Sequence, residues 1–224
     1  MDKRYVDPSE VRPFKKQFDN WMQTIREEIK DCGVSFTYML VGSAKRNLVI
    51  RHHNKGFDCD YQIRITKNKN NLKAKKLKYL FINALDSTVK NYGYSNCENS
   101  TSSITIKKKG NNSDIKHSYD IVILEETLQG VKILRYDKPP KGKGSYIFEL
   151  LPDTDKAQEN FRKIKGKNMW GELRDVYYKK KMIELTDKQT GKKSYQLLNE
   201  AVNEVLDKKK RKPNNTCQNS KNNN

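Results

Sequence analysis

The chain has 224 residues, with 46 Lys and Arg against 27 Asp and Glu, a formal net charge of +19, and 34% hydrophobic residues. That length can bury a core without disulfide or metal staples. No apolar run approaches the roughly 20 residues of a membrane helix, and the start, MDKRYVDPSEVRPFKKQ, lacks the apolar centre of a signal peptide, so the chain is expected in the cytoplasm.

In chain order, Phe14, Phe18, Trp21, Met22, Ile25 and Ile29 recur at spacings of three and four, which predicts an amphipathic helix after Pro13 ending near Gly33. The run VSFTYMLV, residues 34–41, reads as a strand leading into Gly42 and Ser43. AKRNLVI can form a short helix, RHHNKG a loop, and FDCDYQIRI a second strand. Leu77, Leu80, Phe81, Ala84, Leu85 and Val89 mark another long helix, with solvated first turns after the lysine-rich KNKNNLKAKKLK. Ile104 and Ile106, the turn residues GNNS at 110–113 and the run IKHSYDIVIL predict a hairpin whose second strand is central, followed by a strand VKILRY.

From about residue 153 the pattern turns helical, with Met169, Trp170, Leu173, Val176 and Tyr177 on one stripe and Leu198, Ala201, Val202 and Val205 on another. The end, KKKRKPNNTCQNSKNNN, has no apolar periodicity and is expected to be disordered. The expected division is a catalytic core over 1–150, a helical lobe over 151–207 and a basic tail over 208–224. Cys32, Cys59, Cys97 and Cys217 are scattered without a CxxC pair, and His52, His53 and His117 are the only imidazoles, which argues against a zinc site and structural disulfides.

The last 18 residues carry six basic groups and Asp207, so residues 1–206 retain +14. An excess of this size marks contact with phosphate, in nucleotides, RNA, DNA or a membrane surface. A Lys- and Asn-rich composition inherited from an AT-rich genome accounts for it equally well.

The acidic residues are more specific. Strand side chains alternate, so Asp58 and Asp60 share one face with Gln62 and Arg64, while Phe57, Cys59, Tyr61, Ile63 and Ile65 share the other. Two like charges this close repel unless a cation sits between them. Asp120 lies in HSYDIVIL, whose apolar neighbours on both strand faces predict a buried strand. An aspartate there is costly unless it is paired, hydrogen-bonded or bound to a metal. If the two strands adjoin, three carboxylates converge, a set that suits Mg²⁺ sharing its shell with substrate phosphates. Two such ions about 4 Å apart clamp the attacking and leaving oxygens of a displacement. Gly42 and Ser43 then supply backbone N–H groups and a hydroxyl for a phosphate, with Ser43 capping the short helix. Lys45 and Arg46, just after this turn, are placed either to steer a triphosphate or simply to face solvent.

LVGS, the two aspartates of FDCDYQI and the aspartate of YDIVIL together resemble the signature of the DNA polymerase beta-type nucleotidyltransferase superfamily. The 14 residues between Ser43 and Asp58 are similar in length to those of its cyclic GMP-AMP synthase-like and bacterial cyclic-oligonucleotide synthase branch. The resemblance covers residues 34–124. It implies an α+β fold, a mixed β-sheet flanked by helices with a C-terminal helical lobe. It also implies Mg²⁺, two ions, at Asp58, Asp60 and Asp120. The reaction implied is transfer of a nucleoside monophosphate from an NTP, ATP favoured, to a hydroxyl acceptor with loss of pyrophosphate, Asp120 helping to deprotonate the acceptor. An RNA end or another nucleotide is the favoured acceptor. The alternatives are a noncatalytic basic nucleic-acid-binding module that kept a degenerate form of the fold, and an enzyme modifying a small molecule such as an antibiotic. In the helical lobe, Arg174 and Lys180 are candidates for phosphate contact, although Trp170 and Tyr177 read first as core.

Overall fold

The computed structural model describes residues 5–51, 56–110, 115–187 and 191–211. Its contacts divide it into two compact units, Met1–Pro152 and Asp153–Asn224. Helix α1 spans Pro8–Ile29 and strand β1 spans Val34–Leu40; a single helical turn, α2, spans Gly42–Lys45. Strand β2 is Phe57–Asn68 and helix α3 is Ala74–Val89. Strands β3 (Glu98–Asn99), β4 (Ser103–Lys109), β5 (Ile115–Thr127), β6 (Gly130–Asp137) and β7 (Ser145–Leu150) complete the first unit. The second unit holds α4 (Asp155–Gly166), α5 (Trp170–Asp187) and α6 (Ser194–Arg211). Among the described residues no helix is long and apolar enough to cross a membrane.

The helix predicted to follow Pro13 begins five residues earlier. Asp7 caps it: its carboxylate accepts from the Ser9 N–H at 2.8 Å, and the Glu10 carboxylate accepts from the Asp7 N–H, a capping box that Pro8 at the first helical position reinforces. Pro13 is accommodated inside the helix. The short helix expected over AKRNLVI is also displaced. It begins at Gly42 and ends at Lys45, because Asn47 adopts φ 53° and Leu48 and Val49 turn into the core. Ser43 therefore lies within the turn. The N-cap is the extended residue Val41, with no capping side chain, so the expected Ser43 cap does not form.

Among the described residues seven strands form one mixed sheet, in the order β1-β2-β5-β4-β3, with β6 pairing β5 and β7. β2 and β5 run parallel, the chain between them passing through α3, β3 and β4, and the remaining pairs are antiparallel. β5 is central, as expected. The GNNS turn of the β4–β5 hairpin falls largely outside the described residues. β3 and β7 were not anticipated; β7 is a half-exposed edge strand following a Gly- and Lys-rich stretch that hides its alternation.

α1 and α3 cover one face of the sheet. Phe18, Trp21, Met22 and Ile25 of α1 are fully buried against Cys59, Tyr61 and Ile63 of β2 and Tyr119 and Ile121 of β5. Phe18 stacks on Tyr61 with ring centroids 3.6 Å apart, and Phe36 of β1 meets Phe81 of α3 edge-on at 5.2 Å. Each such side chain contributes about 1.5–3 kcal/mol of transfer free energy. The lysine-rich start of α3 is not wholly solvated. Lys78 is 1% exposed, donates to the Ser103 carbonyl at 3.0 Å, and is lowered by burial to a pKa of about 8.

In the second unit, Leu173, Val176 and Tyr177 of α5 are buried, as are Leu198, Ala201, Val202 and Val205 of α6. Lys180 pairs with Glu204 at 3.1 Å, joining α5 to α6. α6 continues to Arg211, and residues 212–224 lie outside the described residues.

Candidate active site

The face of β2 and β5 opposite α1 and α3 carries the acidic residues, and their places follow from strand register. In a sheet, directly paired residues project to the same side. Asp60 is paired with Asp120, and Asp120 on its other side with Thr105, so one row across the sheet reads Asp60, Asp120, Thr105. The next row reads Asp58, Ser118, Lys107. Asp58, Asp60, Asp120 and Ser118 thus occupy the corners of a square, and Asp120 faces the same side as the other two aspartates.

Gly42 closes this square from above. The Val41 N–H donates to the Asp60 carbonyl at 2.8 Å, carrying the β1–β2 pairing one step past the end of β1. Gly42 then turns at φ +65°, and a Cβ there would lie 2.0 Å from Asp60 Oδ2. Only glycine fits, for conformational and steric reasons together. The group that the Gly42 backbone approaches this closely is the second aspartate of the pair. The turn is braced from beneath. Lys15 of α1 donates to the Ala44 carbonyl at 3.2 Å, Arg46 folds back to the Gly42 carbonyl at 3.0 Å, and the Arg46 and Leu48 N–H groups both reach the Ser43 carbonyl. Arg46 is therefore part of the turn's scaffold, while Lys45 is exposed and Ser43 is half-buried.

Each outer carboxylate has a hydroxyl on the neighbouring strand. Ser118 donates to Asp58 Oδ1, and Thr105 donates to Asp120 Oδ1 at 2.5 Å. Asp58 is exposed, whereas Asp120 is half-buried, less than the apolar sequence around it predicts, because it projects away from the face that α1 and α3 cover. Burial raises the Asp120 pKa above the usual carboxylate value; the Thr105 hydrogen bond opposes the rise, and the charge of Asp58 adds to it. Lys107, near this row, pairs with Glu98 at 2.6 Å. Thr105, Ser118, Lys107 and Lys15 escaped the sequence reading, since nothing local in the sequence tells which residues of distant strands pair.

Among the described residues no three His, Cys, Asp or Glu side chains stand together closely enough to hold a metal ion as they are. The three aspartates share a face and adjacent rows, but Asp58 is turned to Ser118, Asp120 to Thr105, and Asp60 lies under Gly42. The donor set itself, three carboxylates with a hydroxyl at the fourth corner, is the hard oxygen chemistry that magnesium takes. Gathering them would leave the register unchanged: Asp58 has to turn from Ser118, while Asp120 keeps Oδ1 on Thr105 and has Oδ2 left to offer.

His117 lies on the other face of β5, 2% exposed, bonded to the Tyr94 hydroxyl at 2.5 Å and 4.0 Å from the Phe14 ring. It belongs to the helix-covered core. His52 and His53 lie outside the described residues. Of the helical-lobe candidates, Tyr177 is core and Lys180 is engaged by Glu204, while Trp170 is half-buried beside Phe161.

No protein-family model matches the chain, and no curated protein matches it in sequence. Solved structures do. The CdnE c-di-GMP synthase of Capnocytophaga granulosa, described as STING-associated, superposes with a TM-score of 0.57 at 16% identity, covering 89% of this chain and 60% of that one. The GTP-bound form of DncV from Vibrio cholerae gives a TM-score of 0.54 at 16% identity, over 82% of this chain and 47% of that one. DncV holding the linear intermediate 5′-pppA(3′,5′)pG gives 0.51 at 17%, over 77% and 45%. The chain thus spans about half the length of the structures it matches. At these identities the likeness establishes the fold alone: a mixed sheet flanked by helices, shared with these nucleotide synthases.

Proposed function

We propose that this chain is a metal-dependent nucleotidyltransferase that moves a nucleoside monophosphate from an NTP to a hydroxyl acceptor, releasing pyrophosphate. The observation that carries the reading is the square of Asp58, Asp60, Asp120 and Ser118 on the face of the sheet opposite α1 and α3, with Gly42 seated on Asp60. Gly42 and Ser43 take the triphosphate tail with backbone N–H groups and the Ser43 hydroxyl. Lys45, exposed at the same turn, draws the tail in, and Arg46 keeps the turn in shape.

Asp58, Asp60 and Asp120 would hold Mg²⁺, two ions by the chemistry of the class, and when bound these neutralise the phosphates and lower the pKa of the attacking hydroxyl. Asp120 is also assigned the acceptance of that hydroxyl's proton; in the metal-free chain burial raises the basicity of its carboxyl. The fold neighbours whose descriptions name a product or intermediate are a c-di-GMP synthase and a DncV carrying a linear dinucleotide. They support a second nucleotide as the acceptor ahead of an RNA end. ATP or GTP is the donor favoured by the same comparison.

The test incubates the protein with each labelled NTP and Mg²⁺, singly and in pairs, with and without RNA, and resolves the products. Metal-dependent pyrophosphate release and a new phosphodiester product, both lost in Asp58→Asn plus Asp60→Asn, are expected. Identical products from the two proteins overturn the assignment. Retention of RNA by both proteins, weakened by salt and without turnover, would favour a nucleic-acid-binding module instead.

A further inference from the structure

We infer that Thr105 is a positioning residue of this site, fixing the orientation in which Asp120 offers its carboxylate to the metal; the inference rests on the function proposed above. Thr105 lies at the far end of the row Asp60, Asp120, Thr105, so its hydroxyl reaches Asp120 from the side away from Asp60. It donates to Oδ1 at 2.5 Å, a bond that leaves Oδ2 of Asp120 available to a cation. Ser118 differs, because it stands at a corner of the square and its bond to Asp58 takes up a carboxylate oxygen along one side of it.

The anchor is itself stiff. Thr105 is 9% exposed, and its neighbours Ile104 and Ile106 are fully buried on the opposite face, which pins the backbone of β4 at this point. A β-branched side chain in a strand has few χ1 options, so its hydroxyl holds one direction. Asp120 sits next to Asp60 and senses the charge of Asp58, and the mutual repulsion of unscreened carboxylates pushes it away from the cation-binding arrangement. The outer donor draws Asp120 the same way, so what it supplies is one fixed orientation, with Oδ1 held and Oδ2 left for the metal. Hydrogen-bond partners of metal-ligating carboxylates typically contribute about 10- to 100-fold in metal affinity.

Direct Mn²⁺ binding, read from the electron paramagnetic resonance signal of the free ion in the presence of a nonhydrolysable ATP or GTP analogue, tests this. Thr105→Val keeps the side chain's shape and removes the donor; Thr105→Ser restores it. Binding at least about tenfold weaker in Thr105→Val, returning to within about twofold in Thr105→Ser, is the expected result. Turnover should show the same split: a raised Mg²⁺ requirement with kcat largely recovered at saturating metal. Circular dichroism and thermal melting confirm that both variants fold. Affinity in Thr105→Val within twofold of the unmodified protein, while Asp58→Asn plus Asp60→Asn abolishes binding, overturns the role of Thr105 and leaves the site standing. Unchanged binding in that double variant overturns the site itself.

Discussion

The two faces of strands β2 and β5 are built from alternate residues of the same few turns of sequence, and they do opposite things. On one face Cys59, Tyr61, Ile63, Tyr119 and Ile121 are almost completely buried under α1 and α3. On the other, Asp58, Asp60 and Asp120 stand partly in solvent, side by side in two rows. The first face supplies the free energy of folding. The second spends some of it, because burial and a neighbouring charge raise the Asp120 pKa. A strand period of two lets 12 residues of β2 serve both ends. What separates the faces within the first unit is that α1 and α3 cover the apolar one.

The sharpest way to break that division is to neutralise the acidic face. Asp58→Asn plus Asp60→Asn should reduce NTP turnover at least about a thousandfold, roughly 4 kcal/mol of barrier. The same variant should melt at the unmodified temperature or above it, since a like-charge neighbour of Asp120 is gone. Turnover assays and thermal denaturation on one preparation check both halves, and joint loss of fold and activity would contradict the division.

Cutting into the covered face should do the reverse. Phe18→Ala removes a ring that is fully buried and stacked on Tyr61, and should cost about 3–5 kcal/mol in urea denaturation. A loss below about 1 kcal/mol would mean that α1 is not the lid of the core.

Acid should act on the covered face through His117. Burial, with a smaller contribution from Lys108, lowers its pKa from 6.5 to about 4, so the folded chain keeps the ring neutral. The unfolded chain takes up a proton below pH 6.5. Stability from this group is intact above 6.5 and is lost as pH falls to about 4, by up to about 3 kcal/mol in all. His117→Gln should flatten the stability profile across that window, measured by urea titrations at stepped pH.

The smallest expected change is a gain. Lys78 stays charged at neutral pH although burial lowers its pKa to about 8, and one carbonyl is its hydrogen-bond partner. Lys78→Met exchanges that desolvated ammonium for an apolar side chain of similar length and should stabilise the chain by about 2 kcal/mol, the freed Ser103 carbonyl offsetting the rest. Destabilisation instead would show that the ammonium is needed to hold the start of β4.

Much of this division is legible in the sequence, because it rests on local periodicity. FDCDYQIRI alternates visibly, and the helix stripes of Phe18, Trp21 and Ile25 and of Leu77, Phe81 and Leu85 repeat every three or four residues. The capping box of DPSE is equally local, but Pro13 competes with it as a helix boundary in the sequence. The partners of the aspartates belong to another category. That Ser118 meets Asp58 and Thr105 meets Asp120 depends on the register of strands up to 60 residues apart, which cross-strand packing settles only once the chain is folded. The shortness of α2 has the same origin: tertiary burial of Leu48 and Val49 ends a helix that local propensity would have extended.

The central claim is that one face of the sheet gathers metal and triphosphate at Asp58, Asp60 and Asp120 beneath the Gly42 turn. Crystals grown with Mn²⁺ and a nonhydrolysable NTP analogue, measured at the manganese absorption edge, address it directly. The account predicts an anomalous peak within bonding distance of carboxylate oxygens from all three aspartates, with phosphate oxygens reaching the backbone of Gly42 and Ser43. Nucleotide bound with manganese elsewhere, or with Asp120 still turned from the metal to Thr105 alone, would contradict it.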